Sequence, residues 1–95
     1  MSEQPHEHRA RVTIVNKRGL HARASARFVT MATGFDAEVR VHHDGASVSG
    51  SSIMGLMMFA AGPGDVIEIS AAGPEGAHAV AALAALVADG FGERD

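Results

Sequence analysis

The chain lacks cysteine, tryptophan and tyrosine, and it has only four phenylalanines among its 95 residues. Without cysteine it forms no disulfide and no thiolate metal site, which fits a reducing compartment. Few aromatic side chains and no basic-helix motif disfavour an interface that stacks nucleic-acid bases. No segment approaches the roughly 20 apolar residues of a membrane helix, and the polar N-terminus lacks the apolar run of a secretory signal. These absences predict a cytoplasmic protein that neither enters a membrane nor binds nucleic acid.

The composition that remains is typical of one small folded domain. Hydrophobic residues make up 46% and charged residues 20% of the chain, which excludes a disordered protein. We expect a flexible N-terminal tail over residues 1–9 and a single domain over residues 10–91. His6 and His8 fall in that tail, where two imidazoles on a mobile segment make a weak metal site. We therefore expect neither a metal nor a cofactor.

Charge is unevenly distributed along the chain. The formal net charge is −3, yet no acidic residue occurs from His8 to Phe35. The basic residues of this stretch are Arg9, Arg11, Lys17, Arg18, Arg23 and Arg27. A basic segment in an acidic protein indicates a local site for an anion or for an acidic partner.

Hydrophobic periodicity predicts seven elements. Alternating apolar and polar residues, many of them β-branched, predict four strands at 11–15, 36–43, 46–49 and 66–71. Helical spacing predicts three helices, at 22–33, at 53–59 and between Pro74 and Gly90, followed by a tail at 91–95. The Asp44-Gly45 pair between the second and third strands is a strong hairpin signal. The order βαββαβα predicts an α+β fold in which helices cover one side of a four-stranded sheet.

The segment from Arg18 to Ser25 reads as a loop that runs into a helix. Gly19 breaks the preceding structure, so His21 is expected at or just before the first helical turn. The first backbone N–H groups of a helix have no partner within it and favour an anion. Arg23 adds a fixed positive charge, and the whole arrangement suits a phosphoryl group attached to the ring of His21. A surface histidine beside a solvated arginine is the simpler alternative.

A second segment begins with a helix cap and continues with apolar residues. Ser51 or Ser52 fits the cap, because a serine oxygen accepts an unpaired helix N–H. The helix that follows, residues 53–59, is nearly all apolar. Either it is buried on all sides, or one face packs in the core and a methionine-bearing face stays open for partners. For any single methionine, core packing is the simpler explanation.

Taken together, the two segments closely resemble those of the HPr family, the histidine-containing phosphocarriers of the phosphoenolpyruvate-dependent phosphotransferase system. The first is Gly19–Ser25 and the second is Ser51–Met57, and the likeness extends over about residues 11–90. The resemblance implies an open-faced β-sandwich, in which three helices cover one face of an antiparallel four-stranded sheet. It also implies a phosphocarrier with a transient phosphohistidine, not an enzyme.

The resemblance assigns roles to particular residues. It implies that His21 accepts phosphate on Nδ1 from phosphorylated Enzyme I and passes it to an EIIA-type domain, with Arg23 helping to hold the phosphate. Ser52 matches the serine that HPr kinase/phosphorylase modifies in many bacteria. The partner-binding set that we expect is Arg18, Leu20, Ala24, Arg27, Ile53, Met54 and Met57. We expect the carrier to act as a monomer.

One position departs from the family pattern. Ala24 stands where the family often has proline, but alanine is an excellent helix former, so the helix start is expected to persist. The change bears on transfer rates rather than on the role. The nitrogen-type branch, NPr, varies at such positions, so a regulatory phosphocarrier that is not coupled to sugar uptake is the alternative.

Two other classes of protein remain open from the residues alone. The first is a free-standing enzyme that uses His21 as a base or nucleophile. No carboxylate lies near His21 in sequence to orient its ring, although a residue distant in sequence could supply one. The second is a small-ligand or regulatory binding module of the same layering, because a fold does not fix a function.

Overall fold

The structure is a computed structural model that describes residues 7–93. Its elements in chain order are β1 (Glu7–Thr13), α1 (Ala22–Ala32), β2 (Glu38–His43), β3 (Ala46–Ser49), α2 (Ile53–Met58), β4 (Val66–Ala72), α3 (Gly76–Ala88) and a single 3₁₀ turn (Gly90–Gly92), here named the C-terminal turn. The predicted order βαββαβα and the α+β class are confirmed. None of the helices among the described residues has the length and apolar character needed to cross a membrane.

The four strands form one antiparallel sheet in the order β1-β4-β2-β3. Successive side chains of a strand point to opposite faces of the sheet. Along β4, Ile67 and Ile69 are buried, whereas Val66, the first residue of the strand, is exposed. One face of the sheet therefore carries the three helices and the other is open, as the sequence predicted.

The core lies between this sheet and the helices. Phe28 of α1, Leu56 of α2 and Leu83 of α3 are completely buried and belong to the same apolar cluster as Ile69 of β4. Each fully buried side chain of this size stabilises a fold by roughly 1.5–3 kcal/mol relative to its exposed state. The helices are thus held by their apolar faces, which leaves their ends available for function.

The hairpin between β2 and β3 has the predicted turn. Asp44 and Gly45 have φ values of 52° and 83°, and a type I′ turn requires positive φ at both positions. The turn sets the antiparallel register in which Val41 lies opposite Val48.

The predicted N-terminal tail is too long. β1 already begins at Glu7, because residues 7–9 pair with Ser70, Ala71 and Ala72 of β4. Arg9 also forms ion pairs with Glu7 and Glu68. These residues are polar and mostly exposed, so the strand depends on a partner strand that no local pattern reveals. His6 lies outside the described residues.

The predicted C-terminal tail is also wrong for residues 91–93. Phe91 has an exposed fraction of 0%, and Arg27 donates a side-chain hydrogen bond to its carbonyl oxygen. Gly90 does end α3, but the chain then turns back into the core instead of leaving it. A single aromatic residue after a helix stop carries no periodicity, so the sequence pattern misses this return.

Candidate functional site

His21 is the residue that caps α1. Its backbone is extended (φ −72°, ψ 178°), and its ring Nδ1 accepts a hydrogen bond from the N–H of Arg23 at 3.2 Å. Its carbonyl accepts from Ser25 N at 2.9 Å, which closes the first turn of the helix. This confirms the prediction that His21 stands just before the helix. A ring nitrogen that accepts a hydrogen bond carries a lone pair, so Nδ1 is the nucleophilic nitrogen of the ring.

The loop before His21 is fixed by close contact with a second loop. Gly19 has a φ of 61°, and a Cβ at this position would collide with the carbonyl oxygen of Ala61. The same oxygen accepts from Leu20 N at 3.0 Å, and the Leu20 carbonyl accepts from the buried hydroxyl of Ser25 at 3.1 Å. Glycine is therefore required for the approach, and the loop has little freedom to move the imidazole.

The other ring nitrogen of His21 contacts a carboxylate from the far end of the chain. Nε2 pairs with Oε2 of Glu93, and 14% and 15% of the two side chains remain exposed. Asn16 Nδ2 donates to Oε1 of Glu93 at 3.0 Å and to the carbonyl oxygen of Gly19 at 2.9 Å. The sequence analysis left open whether a carboxylate distant in sequence orients the ring of His21. Glu93 is such a carboxylate.

Electrostatics keep Glu93 ionised. Burial acts to raise the pKa of Glu93, but the hydrogen bonds from His21 and Asn16 outweigh it and lower the pKa. The positive charge of Arg18 also acts to lower the pKa of Glu93. Sequence reasoning missed both Asn16 and Glu93, because Glu93 fell in the predicted tail and nothing local marks Asn16.

The cations around the site differ in their surroundings. Arg23 is exposed, and among residues 7–93 its guanidinium forms no hydrogen bond or ion pair. Arg27 is exposed too, but it is engaged with the carbonyl of Phe91. Arg18 lies close enough to Glu93 to affect its pKa. Arg23 is thus the cation best able to bind an incoming anion.

Ser52 caps α2 as predicted. Its backbone is extended (φ −109°, ψ 106°), and its Oγ accepts from Gly55 N at 2.9 Å. The side chain is partly exposed. The hydroxyl is therefore both a structural cap and accessible at the surface.

The helix that Ser52 begins has one buried face and one open face. Leu56 is completely buried, whereas the exposed apolar residues of α2 are Ile53, Met54, Met57 and Met58, here named the methionine patch. Met58 is exposed to 81%, more than the 75% of Met54, although the sequence did not single it out. Since α2 packs against α1, the patch lies on an element adjoining the helix that His21 caps.

Two residues of the predicted partner-binding set are misassigned. Leu20 is exposed to 4% and Ala24 to 0%, so neither side chain is available to a partner. Leu20 is drawn inward by the hydrogen bond from its N–H to Ala61, and Ala24 lies on the core-facing side of α1. Sequence position beside a functional histidine did not reveal which way these two side chains point.

Within residues 7–93 no three histidine or carboxylate side chains form a group able to hold a metal ion.

The fold and the site define a class of protein. An open-faced sandwich presents a histidine whose ring is a helix cap, with an exposed arginine two residues further on. That combination suits a protein that carries an anion such as a phosphoryl group on its histidine.

Comparison with known proteins gives the family. Residues 8–89 match the family model described as "PTS HPr component phosphorylation site", where PTS stands for the phosphotransferase system. The phosphocarrier protein HPr of Cupriavidus necator is 47% identical over 81 residues, which cover 85% of this chain and 91% of the relative. The phosphocarrier protein NPr of Escherichia coli is 40% identical over 83 residues, covering 86% and 92%. The chain therefore belongs to the HPr family of phosphocarriers, as the resemblance of its two segments predicted.

Solved structures agree with this assignment. HPr-C-His from Thermoanaerobacter tengcongensis superposes with a TM-score of 0.87 at 38% identity and covers 93% of this chain and 99% of its own. A structure described as an HPr dimer from the same organism gives a TM-score of 0.72 at 38% identity, covering 98% and 100%. The predicted open-faced sandwich is thus confirmed.

Proposed function

We propose that His21 accepts a phosphoryl group on Nδ1 from phosphorylated Enzyme I and passes it to an EIIA-type domain. The observation that carries this proposal is the hydrogen bond from Arg23 N to Nδ1, which identifies Nδ1 as the nitrogen with a lone pair at the N-terminus of α1. Membership of the HPr family supports the general role of phosphocarrier.

The proposed step uses groups that are already in place. The Nδ1 lone pair attacks phosphorus, and the bond between phosphorus and the donor atom of Enzyme I breaks with its electrons returning to the donor. The N–H of Arg23 then loses its acceptor on Nδ1 and is free to donate to a phosphate oxygen, together with the other unpaired amides of the first turn. The guanidinium of Arg23 supplies the remaining positive charge. A single guanidinium, that of Arg23, holds the phosphate without trapping it, as a carrier requires.

Transfer of labelled phosphate from phosphoenolpyruvate in the presence of Enzyme I tests the proposal. We expect the label to be labile in acid and stable in base, and His21→Ala to abolish it. His78→Ala is the matched control, because His78 is an exposed histidine on α3. Full labelling of the His21→Ala variant would refute the assignment.

The methionine patch and the basic residues around His21 form the proposed docking surface for Enzyme I and EIIA-type domains. The patch residues Ile53, Met54 and Met57 were expected from the resemblance, and Met58 extends them. Arg18 and Arg27 are exposed beside the site and suit an acidic partner. A flexible thioether surface also fits a carrier that must bind several different partners in turn.

Ser52 is the proposed site of regulatory phosphorylation by an HPr kinase/phosphorylase. A phosphoserine carries about −1.5 to −2 charges, which are tolerated at a helix N-terminus but lie beside the methionine patch. The modification is therefore expected to leave the fold intact and to repel an acidic partner surface. The exposed part of the Ser52 side chain is what makes this site accessible.

Coupling to sugar uptake is the branch that we propose, with nitrogen-type regulation as the alternative. Similarity to an HPr at 47% identity and to an NPr at 40% supports both branches, the first more strongly. The rate at which each Enzyme I paralogue phosphorylates the protein separates the two branches.

We also propose that the carrier acts as a monomer, which sedimentation would test against the dimer described for a relative.

A further inference from the structure

The C-terminal turn is built to return the chain to the site. Its three residues, Gly90, Phe91 and Gly92, all have positive φ, at 64°, 58° and 75°. A non-glycine residue rarely adopts this conformation, so the turn persists only because its surroundings hold it. Phe91 provides that hold through a side chain that is completely buried in the core.

A second contact fixes the turn from the side of α1. The guanidinium of Arg27 donates to the carbonyl oxygen of Phe91, and a Cβ at Gly92 would lie 3.1 Å from Nη1 of the same guanidinium. Arg27 is therefore close to both residues that precede Glu93. The position of Glu93 follows from an anchored backbone and does not depend on its side chain alone.

Both carboxylate oxygens of Glu93 are used. Oε1 accepts from Asn16 Nδ2, which is buried and also donates to the carbonyl oxygen of Gly19, while Oε2 pairs with Nε2 of His21. An ionised carboxylate only accepts hydrogen bonds, so Nε2 must carry a proton. On the other side of the ring, Nδ1 accepts from the N–H of Arg23 and must carry the lone pair. Two independent contacts thus select the same tautomer.

We infer that Glu93 is a positioning residue for phosphoryl transfer at His21. Its carboxylate keeps the proton on Nε2 while the ring accepts and releases the phosphoryl group. The inference rests on the proposed function and adds a residue that lies beyond the 8–89 family match. When Nδ1 forms its bond to phosphorus, the ring becomes a cation whose Nε2–H stays bound to Glu93. When that bond breaks, its electrons return to Nδ1 and a neutral imidazole leaves. No proton has to enter or leave the ring in either direction.

Glu93→Gln tests this role because it removes the charge and preserves the shape of the side chain. Glu75→Gln is the matched control. The carboxylate of Glu75 accepts a hydrogen bond from Asp36 N, near the end of α1 that lies opposite His21. The control variant therefore also loses a hydrogen-bonded carboxylate, but one outside the site. The first measurement is the nitrogen-15 NMR spectrum of the unphosphorylated His21 ring. We expect a proton on Nε2 that exchanges slowly with water in the wild-type and control proteins, and faster by about tenfold or more in Glu93→Gln. A proton on Nδ1, or equal exchange in all three proteins, would overturn the inference.

The second measurement is the rate of hydrolysis of the phosphorylated protein as a function of pH. A carboxylate paired with Nε2 stabilises the cationic ring of phosphorylated His21, and the neutral amide of glutamine does not. We therefore expect Glu93→Gln to lose its phosphate more slowly than wild type near neutral pH, and the hydrolysis profile of Glu75→Gln to match wild type. If wild type is labelled but Glu93→Gln has the same hydrolysis profile as wild type, only the role of Glu93 is overturned. Absence of label in wild type would overturn the proposed function, and the transfer role of Glu93 with it.

Discussion

Truncation of Phe91 to alanine tests the C-terminal turn most severely. The ring is completely enclosed although it follows the last helix, and its removal loses both apolar burial and packing contacts. Such truncations cost about 3–5 kcal/mol. Alanine at this position has the same left-handed backbone as phenylalanine, so the strain cancels in the comparison. At about 4–8 °C per kcal/mol for a domain of this size, the melting temperature is expected to fall by tens of degrees.

Urea denaturation followed by circular dichroism measures this loss. Phe91→Leu keeps most of the apolar volume and is expected to cost less than about 1.5 kcal/mol. Met58→Ala, on the exposed side of α2, is expected to change stability by no more than about 0.5 kcal/mol. If Phe91→Ala proved as mild as Met58→Ala, the residues after Gly90 would be a tail after all, and the enclosed turn would be wrong.

Four further predictions concern the phosphorylation site and its regulation. Gly19→Ala drives a Cβ into the Ala61 carbonyl at positive φ, so we expect a lower melting temperature and slower labelling by Enzyme I. Folding lowers the pKa of Glu93, so the carboxylate stabilises the fold above the ordinary glutamate pKa of about 4.3, and this stabilisation is lost as pH falls through the pKa of the folded state. Glu93→Gln should remove this part of the pH dependence of the free energy of unfolding, measured by urea denaturation. Arg23→Ala should slow phosphoryl transfer in rapid-quench assays and leave the melting temperature unchanged. Ser52→Asp should weaken Enzyme I binding by calorimetry at an unchanged melting temperature; equal affinity would contradict the regulatory proposal.

The sequence predicted the fold well wherever a residue's role follows from its neighbours in the chain. The apolar stripe of Val80, Leu83 and Val87 on α3 is buried as its spacing indicated. The Asp44-Gly45 hairpin has the expected positive φ angles, because turn chemistry is local. Where an element depends on a distant partner, prediction failed at both ends of the chain, at β1 and at the C-terminal turn.

The site shows the same division between local and distant determinants. His21 as the cap of α1 and Ser52 as the cap of α2 were predicted, because caps are read from the residues next to a helix. Glu93 reaches the ring across 72 positions of sequence, through a turn that carries no periodic signal. Burial also depends on tertiary packing, so Leu20 was misassigned to the surface and the exposure of Met58 was overlooked.

The central claim is that Nδ1 of His21, held at the N-terminus of α1 by the N–H of Arg23, is the atom that receives phosphate. Nitrogen-15 and phosphorus-31 NMR of the protein phosphorylated by Enzyme I tests it directly, because coupling between the two nuclei identifies the bonded nitrogen. We predict a one-bond coupling from phosphorus to Nδ1, with a proton on Nε2. Coupling to Nε2, or phosphate on any residue other than His21, would contradict the account.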